Sequence, residues 1–180
     1  MPGVPNCGFC LEEKLTGIHS PVMATEPFET AFASGFPAVT QLSIFFDNRV
    51  GQLARLTRLF EETEIHILAI SVVHSVDCGI LRMIVDKPDD ALDLLNGNNF
   101  AVHPTEILVV SMPPGKRALL HTWVAFLSAE VNVSYAYALL CPIAGRPALA
   151  VQADQLEQAA DALRHKGFTV LDQSDLQCLE

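Results

Sequence analysis

From residue 39 onward the apolar positions switch between a period near two and a period near 3.6, in an order that occurs twice. Leu42-Ser43-Ile44-Phe45-Phe46 suits a buried strand, and Asp47-Asn48 offers side chains to the free backbone donors of a helix start. Leu53, Leu56, Leu59 and Phe60 then recur at helical spacing, with Arg55, Arg58, Glu61 and Glu62 on the other side. Ile65 to Ser75 reads as a strand whose two alternate sets are both largely apolar. A sheet with one face in water alternates more cleanly, so the second face is expected to be covered by another domain or subunit. Asp77-Cys78-Gly79 turns into a hairpin partner over Ile80 to Val85. Pro88 stops that strand, Asp89 is placed to cap a helix carrying Ala91, Leu92, Leu94 and Leu95, and Gly97 ends it. Phe100-Ala101-Val102 is a short last strand. Strand, helix, strand, strand, helix, strand is a split βαβ sandwich with two helices on one sheet face.

The second copy begins at Glu106, with a strand over Ile107 to Met112, a Pro113-Pro114-Gly115 turn, and a helix from about Lys116 to Ala129. Val131, Val133, Tyr135, Tyr137 and Leu139 line one side of the next strand. Cys141 to Pro147 forms a hairpin loop and Ala148 to Gln152 the returning strand. Asp154 and Glu157 read as a capping box for a helix closed by Gly167, and Phe168 to Leu171 completes the unit. Gly51 matches Gly115, Ile65-His66-Ile67 matches Val131-Asn132-Val133, Leu95 matches Leu163, and Phe100-Ala101-Val102 matches Phe168-Thr169-Val170. The predicted fold is therefore α+β: two ferredoxin-like βαββαβ modules, each an antiparallel four-stranded sheet with two helices on one face. The expected organisation is an N-terminal extension over 1–38, modules over 39–104 and 105–172, and a C-terminal tail over 173–180.

The extension holds five prolines and four glycines, which argues against regular structure over most of its length. Phe28, Phe32 and Phe36 recur every four residues and could lay an aromatic edge on the folded body. The change of composition near Met23 makes that residue a candidate start of the native protein. Twenty-one acids against eleven bases give a formal charge of −10, which opposes sequence-independent binding to nucleic acid or an anionic membrane. No apolar run approaches the roughly 20 residues of a membrane span, so a cytoplasmic protein is expected. The five cysteines are odd in number and scattered, unlike a secreted disulfide framework. Cys7 and Cys10 form a C-x-x-C with no second pair, and with His19 reach three ligands at best, so neither a metal site nor a cofactor is expected.

An enzyme would need a nucleophile and base or a spaced metal set, and the six histidines offer none. His66 and His74, eight apart on one strand, would stand about 26 Å apart. They read as sheet-face residues, with His103 in a loop, His121 on a helix and His165 near a helix end. Trp123, Tyr135 and Tyr137 read as core or interface aromatics, although the Tyr135 hydroxyl needs a partner if buried. The turn after the first strand carries the more specific chemistry. A glycine in the first helical turn leaves the N–H groups of Gly51, Gln52 and Leu53 open, and with the helix dipole they favour a carboxylate. Asp47 or Asn48 can accept from an ammonium group. Together these complement a zwitterion.

The pattern Asn48-x-Val50-Gly51-x-Leu53, followed by Ile65-x-Ile67 opening the second strand, resembles the ACT domain, a small regulatory module that binds amino acids. The resemblance covers about residues 39 to 172, and Val131-Asn132-Val133-Ser134-Tyr135-Ala136-Tyr137 resembles the tandem ACT proteins that stand alone without a catalytic domain. It implies a non-catalytic regulator with its ligand at an interface between modules, against the turn after one first strand and beside a neighbour's second strand. The implied ligand residues are Asp47, Asn48, Arg49, Val50, Gly51, Gln52 and Leu53, with Tyr135 from the second strand. The second turn departs from the pattern, with Met112 in place of an aspartate or asparagine and Arg117 in place of a leucine. The expected partners are an amino acid, a second copy in a homodimer, and a protein that reads the signal. The alternative is an interaction or dimerisation module that binds no ligand.

Overall fold

The computed structural model describes residues 35–47, 49–74 and 78–177. Asn48, the Cys7–Cys10 motif, His19, Met23, Phe28, Phe32 and Asp77 lie outside them. The element order is β1 (Val39–Asp47), α1 (Gln52–Glu61), β2 (Ile67–His74), β3 (Cys78–Val85), α2 (Pro88–Gly97), β4 (Ala101–Ser111), α3 (Ala118–Ser128), β5 (Val133–Ala138), β6 (Ala148–Ala153), α4 (Leu156–His165) and β7 (Thr169–Leu171). A short 3-10 turn follows over Ser174–Leu176. Among the described residues this is the βαββαβ order twice, with seven strands rather than eight, because β4 serves both copies.

All pairings are antiparallel, and the strand order is β2-β3-β1-β4-β6-β5, with β7 also on β4. The N-terminal half of β4 pairs with β1 from Val39↔Ile107 to Phe45↔Ala101, as the last strand of the first module. Its C-terminal end, Leu108 to Ser111, pairs with β6 and β7 as the first strand of the second. The boundary expected between 104 and 105 thus falls inside one continuous strand. His103, expected in a loop, is an exposed residue of that strand. Pro104 is tolerated there because this half of β4 is an edge, where a missing N–H costs no ladder bond on the open side.

Three apolar layers hold the fold. Leu42, Ile44, Leu81 and Met83 pack with Leu56 and Phe60 of α1 and Leu95 of α2. Leu108, Val110 and Val151 pack with Phe126 of α3 and Leu163 of α4. The third layer lies between the two helix-free sheet faces: Val39, Ala69, Ile84 and Ile107 meet Ala148, Ala150 and the partly buried Tyr135 and Tyr137. The second module of the same chain thus covers Leu68 and Ala69 of β2, while Val72 and Val73 at the far end of that strand stay exposed. Leu140 N–H donates to the Leu68 carbonyl at 2.8 Å and Ala69 bridges Leu139, so the two edge strands β2 and β5 meet.

Several expected caps do different work. Neither α2 nor α4 has a side-chain cap: α2 follows Lys87 with Pro88 in its first turn, and α4 follows Gln155. Asp154 accepts the Asn132 N–H at 3.1 Å instead of closing a capping box. Its repeat mate Asp86 accepts the His66 N–H at 2.8 Å and pairs with His66 Nδ1 at 2.9 Å. Both aspartates satisfy the open backbone where the second strand of a module begins, and for Asp154 that demand outranks the expected cap. Asp89, the expected cap of α2, lies inside its first turn. His66 accordingly precedes β2 and is hydrogen-bonded to Asp86 rather than a plain sheet-face residue.

Among the described residues of the expected tail, 173–177, Gln173 and Leu176 are tied into the fold. Gln173 accepts the Thr40 N–H at 3.1 Å and donates to the Val85 carbonyl at 3.1 Å, and Leu176 is buried between the sheets. The Ser174 hydroxyl, with the N–H groups of Asp175 and Ser174, holds the Asp172 carboxyl below its ordinary range. Phe36, the described member of the Phe28-Phe32-Phe36 series, packs against the helix layer of the second module.

Candidate ligand site

The turn after β1 brings Asp47, Arg49, Val50, Gly51, Gln52 and Leu53 together; Asn48 lies outside the described residues. Gly51 stands at φ +89°, the left-handed region that an L side chain enters only at a cost. It is the residue before α1 rather than a member of its first turn. Among the described residues no side chain caps α1, and Asp47 instead pairs with Arg49 across 3.5 Å with both side chains largely in solvent. Such an exposed pair holds its partners loosely, so the Asp47 carboxylate remains available to a competing cation.

Three features make this end of α1 favourable to an anion. No acid stands in its first turn, whereas α2 has Asp89 and Asp90 and α4 has Glu157 in theirs. A side chain built at Gly51 would meet nothing within 4 Å. An open groove of about 730 Å³ runs from Gly51 along α1, lined by Arg55, Arg58, Leu59 and Leu94 among others. Gln52 N–H is partly engaged, donating to the Arg49 carbonyl at 3.3 Å. Val50 and Leu53 expose apolar surface beside these groups.

Tyr135 does not join the turn within one chain. Its hydroxyl accepts from Gln41 Nε2 at 3.0 Å, and Gln41 lies six residues before Asp47, about 20 Å along β1. Tyr135 belongs instead to a polar knot between the modules. The fully buried Gln41 amide also meets Thr105 Oγ1 at 3.0 Å and accepts from the Tyr137 hydroxyl at 2.8 Å. The Arg82 guanidinium lies 4.0 Å from the centre of the Tyr135 ring. Burial, with the neighbouring Tyr135, raises the Tyr137 phenol above its ordinary range, while Arg82 pulls it the other way. Sequence reading missed Gln41 and Arg82. The one signal for Arg82 was a lone charge inside the apolar run Ile80 to Val85.

The second turn is built differently. Gly115 also takes positive φ, at +110°, but Met112 hands its N–H to the Pro147 carbonyl and its sulfur to the Thr122 hydroxyl. Among the described residues no group of three or more His, Cys, Asp and Glu is placed to hold a metal ion, and no helix is long and apolar enough to cross a membrane.

These features coincide with a known family. The sequence profile of the ACT domain pair matches residues 37–179, and the chain belongs to that family. ACT domains are regulatory modules, many of which bind amino acids and assemble into oligomers. The chain is similar to a protein of Bacteroides thetaiotaomicron whose crystal structure is known, with 29% identity over 81% of this chain and 100% of that one and a TM-score of 0.73. It shares the fold of the regulatory subunit of aspartate kinase from Thermus thermophilus in its ligand-free form, at 16% identity over 74% of this chain and 95% of that one, with a TM-score of 0.52. No curated protein matches it significantly.

Proposed function

We propose that this chain is a non-catalytic sensor that binds a free amino acid at the turn Asp47 to Leu53. The observation that carries the reading is the N-terminus of α1: a left-handed glycine, no capping side chain among the described residues, no first-turn acid, and Asp47 alongside. A carboxylate accepts from the N–H groups of Gly51 and Leu53, and Asp47 exchanges its loose contact with Arg49 for the ammonium group. The turn is open to solvent, so a module of a neighbouring chain completes the enclosure, and ligand binding between chains stabilises one arrangement over others. The test is thermal unfolding of the full chain against each common amino acid. A ligand at about 100 times its dissociation constant adds roughly 2.7 kcal/mol, several degrees in a chain of this size. A selective shift that Asp47→Ala abolishes supports the sensor. No shift with any amino acid rejects it.

The exposed apolar line of α3 favours a second reading, a module whose work is association alone. Ligand-dependent stabilisation separates the two.

A further inference from the structure

Helices α1, α2 and α4 each carry three charged residues, among them Arg55, Asp90 and Asp161, while α3, Ala-Leu-Leu-His-Thr-Trp-Val-Ala-Phe-Leu-Ser, carries none. Its inner face is accounted for by Thr122, Ala125 and Phe126, all buried against the sheet. At 100° per residue, Leu120, Val124 and Leu127 form a line pointing directly away from that face, and they are 57%, 46% and 76% exposed. Leu119 widens the patch at 47% exposure, and Val124 continues it into a groove lined by Pro113, His121 and Phe168. A helix apolar all round is normally buried on all sides, and a continuous apolar patch of a few hundred Å² marks an association surface.

We propose that α3 is the seam of a homodimer, packed antiparallel against α3 of a second copy about a two-fold axis near Val124. The occupant is argued from charge. Lys116 and Arg117 stand exposed at the N-terminal end of the helix and Glu130 at the C-terminal end. Antiparallel pairing sets Arg117 of one copy against Glu130 of the other, Leu120 against Leu127, and Val124 against its own mate. The same line of residues is thus self-complementary, as an isologous two-fold contact requires. Antiparallel alignment also opposes the two helix dipoles favourably. A standard interface takes about 800 Å² from each partner, so the groove beside Val124 and the rim at His121 and Ser128 join the seam. The proposal stands whether or not the turn at Gly51 binds an amino acid.

Sedimentation equilibrium of the full chain tests it. The wild type is expected to sediment at twice 19.6 kDa at micromolar concentration. Val124→Glu, which opposes two carboxylates at the axis, is expected to raise the dimer dissociation constant about 30-fold or more. Leu127→Gln should act in the same direction, and unchanged circular dichroism melts of these exposed-site variants would show the fold intact. Arg117→Glu should weaken the dimer, and Arg117→Glu with Glu130→Arg should restore it. A monomeric wild type overturns the proposal, as does a dimer that Val124→Glu leaves as tight as before. Failure of the charge swap to restore association overturns the antiparallel register.

Discussion

The hydroxyl of Tyr137 donates to Oε1 of Gln41 over 2.8 Å, tying the second strand of one module to the first strand of the other. Gln41 is fully buried in the layer where the two sheets face each other, so this bond and the one from its Nε2 to Tyr135 fix how the modules sit. The amide has two hydrogens and three acceptors within reach, and Ser43 Oγ at 3.3 Å is the weakest of the three. Gln41→Ala leaves two tyrosine hydroxyls without their partner and is expected to cost about 2 kcal/mol in urea unfolding. Tyr137→Phe should cost about 1 kcal/mol, and the two changes should be non-additive in a double-mutant cycle.

The same phenol predicts an alkaline limit. Burial raises Tyr137 above the ordinary tyrosine value near 10, so above that pH the unfolded chain releases a proton that the folded chain keeps. Stability is full below about pH 10 and falls as the pH rises beyond it. The protein has two tyrosines, so absorbance near 295 nm resolves the event. In Tyr137→Phe the alkaline loss should shrink.

Gly51→Ala is expected to cost about 1 kcal/mol, from the left-handed backbone alone, because the space around the new Cβ is open. Gly51→Asn should cost less. A loss several times larger in Gly51→Ala would mean that the turn is packed rather than open.

Gly79 presents the opposite case. A Cβ there would stand within 3.0 Å of three Phe46 ring atoms, since the two residues face each other across the β1–β3 ladder. Gly79→Ala should destabilise by about 1–3 kcal/mol. Most of that loss should vanish in a Phe46→Leu background, which urea unfolding of the four proteins would measure.

The repeat, its element order and most of the inward-facing residues were legible because they rest on local periodicity, as with Leu56, Leu59 and Phe60 on α1, whereas Leu53 on the same stripe stands exposed beside the turn. The fusion of the modules through β4 was not. Pro104 beside His103 reads as a break, and only the edge position of that strand makes it harmless. The expected aspartate caps failed for separate reasons. Asp89 lies inside the first turn of α2. Asp154 had a stronger use across a hairpin, satisfying an N–H 22 residues away as its repeat mate Asp86 does for one 20 residues away, a range at which side-chain propensity carries no information. The turn at Gly51 could be read as a candidate site because its parts are consecutive in the chain. Tyr135 was legible as an exceptional tyrosine but not as a partner of Gln41, 94 residues away, since that pairing depends on how one sheet folds over the other.

Amide NMR during titration tests whether an amino acid binds through the amides of the α1 turn. Each common amino acid is added to the uniformly labelled full chain. One of them is expected to move the Gly51 and Leu53 amides in a saturable way, with Asp47 following, and Gly51→Ala to weaken the effect. Saturable shifts confined to other regions, or none with any amino acid, would contradict binding there.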